Sequence, residues 1–250
     1  MDRGRLHIAA VIAAVTAMLA VAGCDDAPDA APTVTSPAPA DRIPPAFDVT
    51  FRWVPGDVVD PSSPEGTFVR AFVESFELAN AGQSVDWGYR GFSEAAPSNI
   101  AQMIGIYPPA ESTEQPGVGT AFFTGLRRTV DGDLTRIVLC RFGYRSIRGA
   151  DGRWSSATDA PRPVEIDFRR GGAGPVTGVS GTARTPSDDV FGDWYVTRYD
   201  FSAVYPTPTP DEQACTSSIP AEVPVREPVE GKQPWPVMAP SPGWSTTQPV

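Results

Sequence analysis

Residues 120–148 read TAFFTGLRRTVDGDLTRIVLCRFGYRSIR, and their pattern decides the fold. Two apolar-rich runs flank Asp131-Gly132-Asp133, a turn signal, so strands are predicted at Thr120–Val130 and Leu134–Arg148, joined as a hairpin. Ile137-Val138-Leu139-Cys140 is apolar on both faces, which places the second strand centrally in its sheet. The aspartates of the turn might suggest calcium, but no 12-residue loop with a closing glutamate follows, and the turn reading stands.

Upstream, Phe47, Val49, Phe51 and Trp53 alternate with Asp48, Thr50 and Arg52, the period of a half-buried strand. Ser63-Pro64-Glu65 then opens a helix with an N-cap serine, a proline at the first helical position and an acid in the first turn. Phe68, Phe72 and Phe76 form its apolar stripe and Gly82 stops it. A short second helix is predicted from Ser98 to Ile104. Downstream, Val164, Ile166 and Phe168 alternate with charged residues, and a last strand at Asp193–Tyr205 is expected to put Tyr195, Tyr199, Phe201 and Tyr205 on one face.

The predicted fold is therefore α+β, with one or two N-terminal helices packed on a curved antiparallel sheet of about four or five strands within residues 46–205. The element order, with Val69-Arg70-Ala71-Phe72 leading to Ala79-Asn80-Ala81-Gly82, resembles the NTF2-like and cystatin-like group. The leading strand fits the cystatin-like order better. The resemblance implies a sheet wrapped around a helix, able to enclose a pocket, and no catalytic residue. Pro-rich tails expected to be disordered flank the domain: a linker at residues 24–45 and a segment at 206–250 with eleven prolines. Trp235 and Trp244 are unusual for a free tail and either pack back on the domain or meet a partner.

The N-terminus carries Arg3 and Arg5, then no charge from Ile8 to Ala22. These 15 uncharged residues fall short of the roughly 18 of a spanning helix and suit a secretory signal. Val21-Ala22-Gly23-Cys24 resembles a bacterial lipobox. That resemblance implies cleavage after residue 23, acylation of Cys24, and a lipid-anchored protein at the extracytoplasmic face of the cell membrane. The chain as a whole resembles lipoproteins of actinobacteria that carry no assigned function.

Loss of Asp2, Arg3 and Arg5 with the signal would take the net charge from −10 to −11. Such an acidic chain is a poor general nucleic-acid binder. The single histidine, His7, would leave as well, which removes Ser-His-Asp and Cys-His catalysis and His-based metal sites. The cluster Gly171-Gly172-Ala173-Gly174 lacks a phosphate-loop register and reads as a loop. No cofactor is implied. Cys140 and Cys215 remain, and an oxidising compartment favours one disulfide over two free thiols. Closing a loop of this length contributes about 4.5 kcal/mol by chain entropy.

Two clusters are candidates for binding. Ten of the 18 mature basic residues lie between Arg127 and Arg170; Arg136, Arg141 and Arg145 among them could hold an anion, or the run could be a solvated strand face. Trp87, Tyr89 and Arg90, after the first helix, could rim a pocket or form a packed loop. The function expected first is a non-enzymatic envelope lipoprotein that binds a protein partner or scaffolds an assembly. A carrier of a small lipid-like ligand in a helix–sheet pocket is the alternative. A histidine-free acid–base enzyme, using Asp86 or Asp200 with Tyr89 or Tyr199, is a third.

Overall fold

A computed structural model describes residues 43–106, 115–175, 180–201 and 208–245. The signal segment, Cys24, the linker up to residue 42 and Tyr205 lie outside the described residues. In chain order the elements are β1 (Phe47–Trp53), α1 (Pro64–Gly82), a single 3-10 turn (Val85–Trp87), α2 (Phe92–Ala95), α3 (Ile100–Ile106), β2 (Gly117–Asp131), β3 (Leu134–Arg148), β4 (Trp154–Thr158), β5 (Arg162–Arg169), β6 (Tyr195–Asp200), α4 (Pro210–Ser217) and β7 (Val229–Gly231).

The β2–β3 hairpin forms the spine of the sheet. Its tip is a two-residue turn between Asp131 and Leu134, where Gly132 takes a φ of 61°, open to glycine at little cost. β3 is central, and its outer side forks. Leu134–Arg141 pair with β5, while Tyr144–Arg148 pair with β4. β6 extends the β5 branch and β7 the β4 branch. On the other side β1 joins β2 in parallel, Phe47 opposite Gly117 through Trp53 opposite Phe123.

The α+β class holds, and the finer expectation is corrected in three ways. The sheet is open and mixed with seven strands, not antiparallel with four or five. Three helices precede β2 and a fourth, α4, lies between β6 and β7. The C-terminal segment is ordered through residues 208–245, supplying α4, β7 and a backbone strap against the outer edge of β1, where Trp53 N–H donates to the Ser241 carbonyl and Ser241 N–H to that of Phe51. The strap covers an edge that would otherwise offer unpaired backbone groups.

α1 forms as its sequence dictates. Ser63 Oγ accepts the Gly66 N–H at 3.0 Å, Pro64 sits in the first turn, and the chain leaves through Gln83 in the left-handed region. Gly66 is required by close approach, since a Cβ there would stand 1.8 Å from the Asp60 carbonyl. α1 is buried nearly all round: the sheet lies beneath it, and Tyr89, α2, α3 and Trp244 surround the rest. Phe68 packs on Phe168, Phe72 on Phe92 and Tyr199, and Phe76 on Tyr199 and Phe201, with ring centroids 4.3–5.3 Å apart. Each such buried ring contributes about 1.5–3 kcal/mol.

The sheet's other face carries a second cluster. Phe122, Cys140, Phe142 and Tyr144 meet Cys215 and Val223, with Trp235 and Met238 alongside. The Cys140–Cys215 disulfide is formed and pins α4 to this face. The result is three layers, with the sheet between α1 and the C-terminal segment.

Two bulges re-aim side chains. One at Leu126 in β2 sets Arg127 opposite Val138 and Arg128 opposite Ile137. Arg127 therefore reaches Asp211 on α4, while Arg128 reaches Glu65 on α1. The second, at Thr197 in β6, breaks the expected tyrosine face. Tyr199 is buried and Tyr195 is 44% exposed, because the extra residue shifts the alternation by one.

Candidate functional site

Where β4 and β5 part from β3, a cleft of about 600 Å³ opens. Its walls come from β3, the β4–β5 connection at residues 159–161, β6 and the start of α4. Val138, Ala157, Ala160, Pro161 and Pro163 supply apolar surface, Thr158 and Thr209 hydroxyls, and the rest is charged.

The basic end is built on Arg141. Its guanidinium grips Glu77 of α1 through two bonds of 2.8 and 2.9 Å and donates a third, 3.0 Å, to Asp159. Arg145 stands 3.2 Å from the other Asp159 oxygen, and Arg162, opposite Arg141 in the β3–β5 ladder, donates to Glu77 at 3.3 Å. Burial alone would push the Glu77 carboxyl up, but Arg141 and Arg162 outweigh it and hold it below the usual carboxylate range. Asp159 is held low in the same way, with Arg141 and Arg145 overcoming its burial. Three guanidiniums thus share two carboxylates. The Arg162 Nε is buried without a hydrogen-bond partner, as is the Tyr199 hydroxyl.

The opposite end is acidic. Arg136 chelates Asp167 with bonds of 2.7 and 2.6 Å and lies 3.3 Å from Glu165. Arg198 bridges Glu165 and Asp200. Asp211 at the start of α4 receives two bonds from Arg127, and the Glu212 carboxylate closes a capping box with Thr209. Five carboxylates stand here against three guanidiniums.

Of the residues singled out from the sequence, Arg141 and Arg145 meet at the cleft, while Arg136 lies beside its acidic end. The arginine run is neither bare nor simply solvated; it is knitted to acids far away in sequence. Trp87, Tyr89 and Arg90 do not converge. Trp87 packs over Gly82 at the end of α1 and Arg90 is exposed. Tyr89 turns inward, its hydroxyl donating to Glu74 at 2.6 Å.

That contact belongs to a buried node the sequence reading missed. The Glu74 carboxylate also accepts from Trp53 Nε1 and Trp244 Nε1, both at 2.7 Å, and lies 3.6 Å from Arg70. Arg70 stacks 4.2 Å from the Trp244 ring and donates to the Pro61 and Pro242 carbonyls. Burial raises the Glu74 carboxyl more than these partners lower it. The node ties α1, β1 and the C-terminal strap together and lies outside the cleft lining. An Arg–Glu pair at i, i+4 set among the apolar residues Val69, Ala71, Phe72 and Val73 of α1 was its one sequence signal. Of the acids proposed for catalysis, Asp86 is exposed and Asp200 is bound to Arg198 at the cleft rim.

No protein-family model, curated protein or solved structure matches the chain. Among the described residues no helix is long and apolar enough to cross a membrane.

Proposed function

We propose that the chain is a cell-envelope lipoprotein, held by acyl groups on Cys24 at the extracytoplasmic face, that works as a non-enzymatic module for binding or scaffolding a protein partner. One observation carries this reading: away from the cleft at the fork, both faces of the sheet are covered. Aromatic rings fill the space behind Phe68, Phe72 and Phe76, where a carried lipid would have to sit. The C-terminal layer seals the other face and turns Ile219, Val225, Val229 and Val237 outward, between 36% and 66% exposed. A layer tied down by a disulfide while presenting β-branched side chains suits a docking surface. On this reading the likeness to the cystatin-like group extends to one helix laid across a sheet, with the parallel β1 and the C-terminal layer as additions.

A photo-crosslinking residue placed at Val225 or Val229 in intact cells is expected to give one discrete adduct. The same residue at Val130, equally exposed on the hairpin tip, is expected to give none. Equal labelling from both places, or none from either, overturns the proposal. Cys24→Ser should leave the membrane fraction, and retention there would refute the anchor.

A further inference from the structure

We propose that the strap, residues 232–245, is exchangeable between two copies of the chain: the strap of one copy lies across β1, β2 and β3 of the other, and the exchange is reciprocal, closing a two-fold dimer. This goes beyond the docking function above and requires neither the anchor nor a partner at Val225 and Val229.

The strap is held as a bound peptide is held. Thr120 and Tyr144 stand opposite each other on β2 and β3, with Ser146 two residues along β3. Thr120 accepts the Met238 N–H, Ser146 accepts the Trp235 N–H, and Tyr144 donates to the Pro236 carbonyl. Arg52 donates to the Ala239 carbonyl, Phe51 and Trp53 share bonds with Ser241, and Arg70 reaches the Pro242 carbonyl. Gly243 and Trp244 pair with Gly181 and Ala183, and Trp244 Nε1 donates to Glu74. All these partners lie between Phe51 and Ala183, in the body of the domain. The Arg226 guanidinium, over the Trp235 ring, is the contact that comes from the connection carrying the strap. A strap from a second copy therefore meets the same body, and none of these hydrogen bonds is given up by exchange.

The connection changes character at Gly231. Upstream it is fastened: Cys215 is bonded to Cys140, Thr158 Oγ1 bonds both the carbonyl and the N–H of Arg226, and β7 lies on β4. Downstream, Lys232 and Gln233 are exposed. A Cβ on Gly231 would meet nothing nearer than 3.6 Å, so the backbone can turn there without collision. Pro234, Pro236, Pro240 and Pro242 keep a released strap extended, which limits the ordering cost of seating it again. Release also uncovers Trp244, which is 1% exposed when seated, and takes a donor from Glu74. An empty sheet therefore recaptures a strap, its own or a neighbour's. Recapture within one copy has an effective concentration on the order of millimolar, so exchange belongs to chain concentrations of that order.

The test uses the full chain with Cys24→Ser, which removes the one cysteine outside the disulfide. Unlabelled and ¹⁵N-labelled chains are mixed at about 1 mM and diluted for native mass spectrometry. A dimer of mixed mass that outlasts the dilution is expected, and its absence overturns the proposal. Arg52 and Ser241 are bridge partners, about 5 Å apart, a spacing a disulfide spans. In Arg52→Cys/Ser241→Cys, oxidation after mixing should join the two chains of the dimer and close within the chain of the monomer. Oxidation before mixing locks the strap and should lower the dimer yield at least about tenfold. A dimer that survives locking, or whose new cysteines close only within chains, places the second copy on another surface and overturns the proposal. Amide hydrogen exchange reads the same opening without the new cysteines: Trp235, Met238 and Ser241 should exchange at least about a hundredfold faster than Val138–Cys140. Exchange of the strap amides at the core rate overturns the proposal as well. These outcomes are independent of where the protein lies in the cell and of what crosslinks to Val225.

Discussion

Replacing Glu77 by glutamine removes one charge and almost no volume, and its effect can be worked out from the contacts. One Glu77 oxygen accepts from Arg141 Nε and from Arg162; the other accepts from the second arm of Arg141. A glutamine amide oxygen in the first position keeps two of these three bonds at neutral-acceptor strength. Its NH₂ then meets the Arg141 arm donor to donor. The cluster falls from two carboxylates to one against three guanidiniums. The side chains of Arg141 and Glu77 are only 8% and 11% exposed, so water screens little of this. Removing one partner from a buried pair costs about 3–5 kcal/mol, and that loss is expected for Glu77→Gln near neutral pH.

The pH dependence follows from the depressed carboxyl. The folded chain holds Glu77 below its unfolded value, so its stabilisation is complete above the unfolded pKa and is lost as pH falls through the folded one. The gap between wild type and Glu77→Gln should thus be widest near neutrality and narrow below about pH 4. Urea unfolding followed by tryptophan fluorescence measures both. A loss under about 1 kcal/mol at neutral pH, or a gap that does not change on acidification, would refute the reasoning.

Glu74→Gln should show the opposite trend: the wild-type carboxyl is raised by burial, its contribution declines as pH rises, and the gap to the variant narrows towards alkaline pH in the same urea assay. Trp244→Ala removes a ring that is 1% exposed together with a hydrogen bond to Glu74, and should cost about 3–5 kcal/mol. Because the strap then loosens from β1, that variant should also aggregate faster in light scattering. Cys140→Ala/Cys215→Ala should lower unfolding stability by up to about 4.5 kcal/mol while α1 and its core keep their helical signal in circular dichroism.

Local chemistry made much of the first layer legible. The cap and proline of α1, the DG turn of the hairpin and the strict alternation in β1 and β5 each state their structure within a few residues. What stayed hidden depends on distance. Glu65, Glu77 and Asp211 lie 63, 64 and 84 residues from the arginines they bind, and only the folded topology brings them together. The bulges at Leu126 and Thr197 were equally silent. Each adds one residue to a run that reads as regular alternation and swaps the faces beyond it. The parallel pairing of β1 was hidden because a helix-containing crossover before β2 leaves no mark on β1 itself.

The C-terminal segment shows why composition misled. Prolines argue for an extended chain without ladder hydrogen bonds, and that much is true of residues 232–240, yet the chain is not free. Its remaining backbone groups find partners among the polar side chains of the sheet. Trp235 N–H donates to Ser146 Oγ at 2.9 Å and Met238 N–H to Thr120 Oγ1 at 3.1 Å, while the Pro236 carbonyl accepts from Tyr144. Thr120 and Ser146 sit at alternate strand positions that would ordinarily read as the wet face, but they are at most 1% exposed. An alternating strand marks one face as apolar; it does not mark the other as solvent. A proline-rich segment, poor in donors and held by a disulfide, can cover a face of hydroxyls without competing for the sheet's own ladder. The same arrangement holds α4 over the fork and so gives the cleft its acidic wall. The tail expected to be disordered is therefore the element on which both the covered core and the candidate site depend.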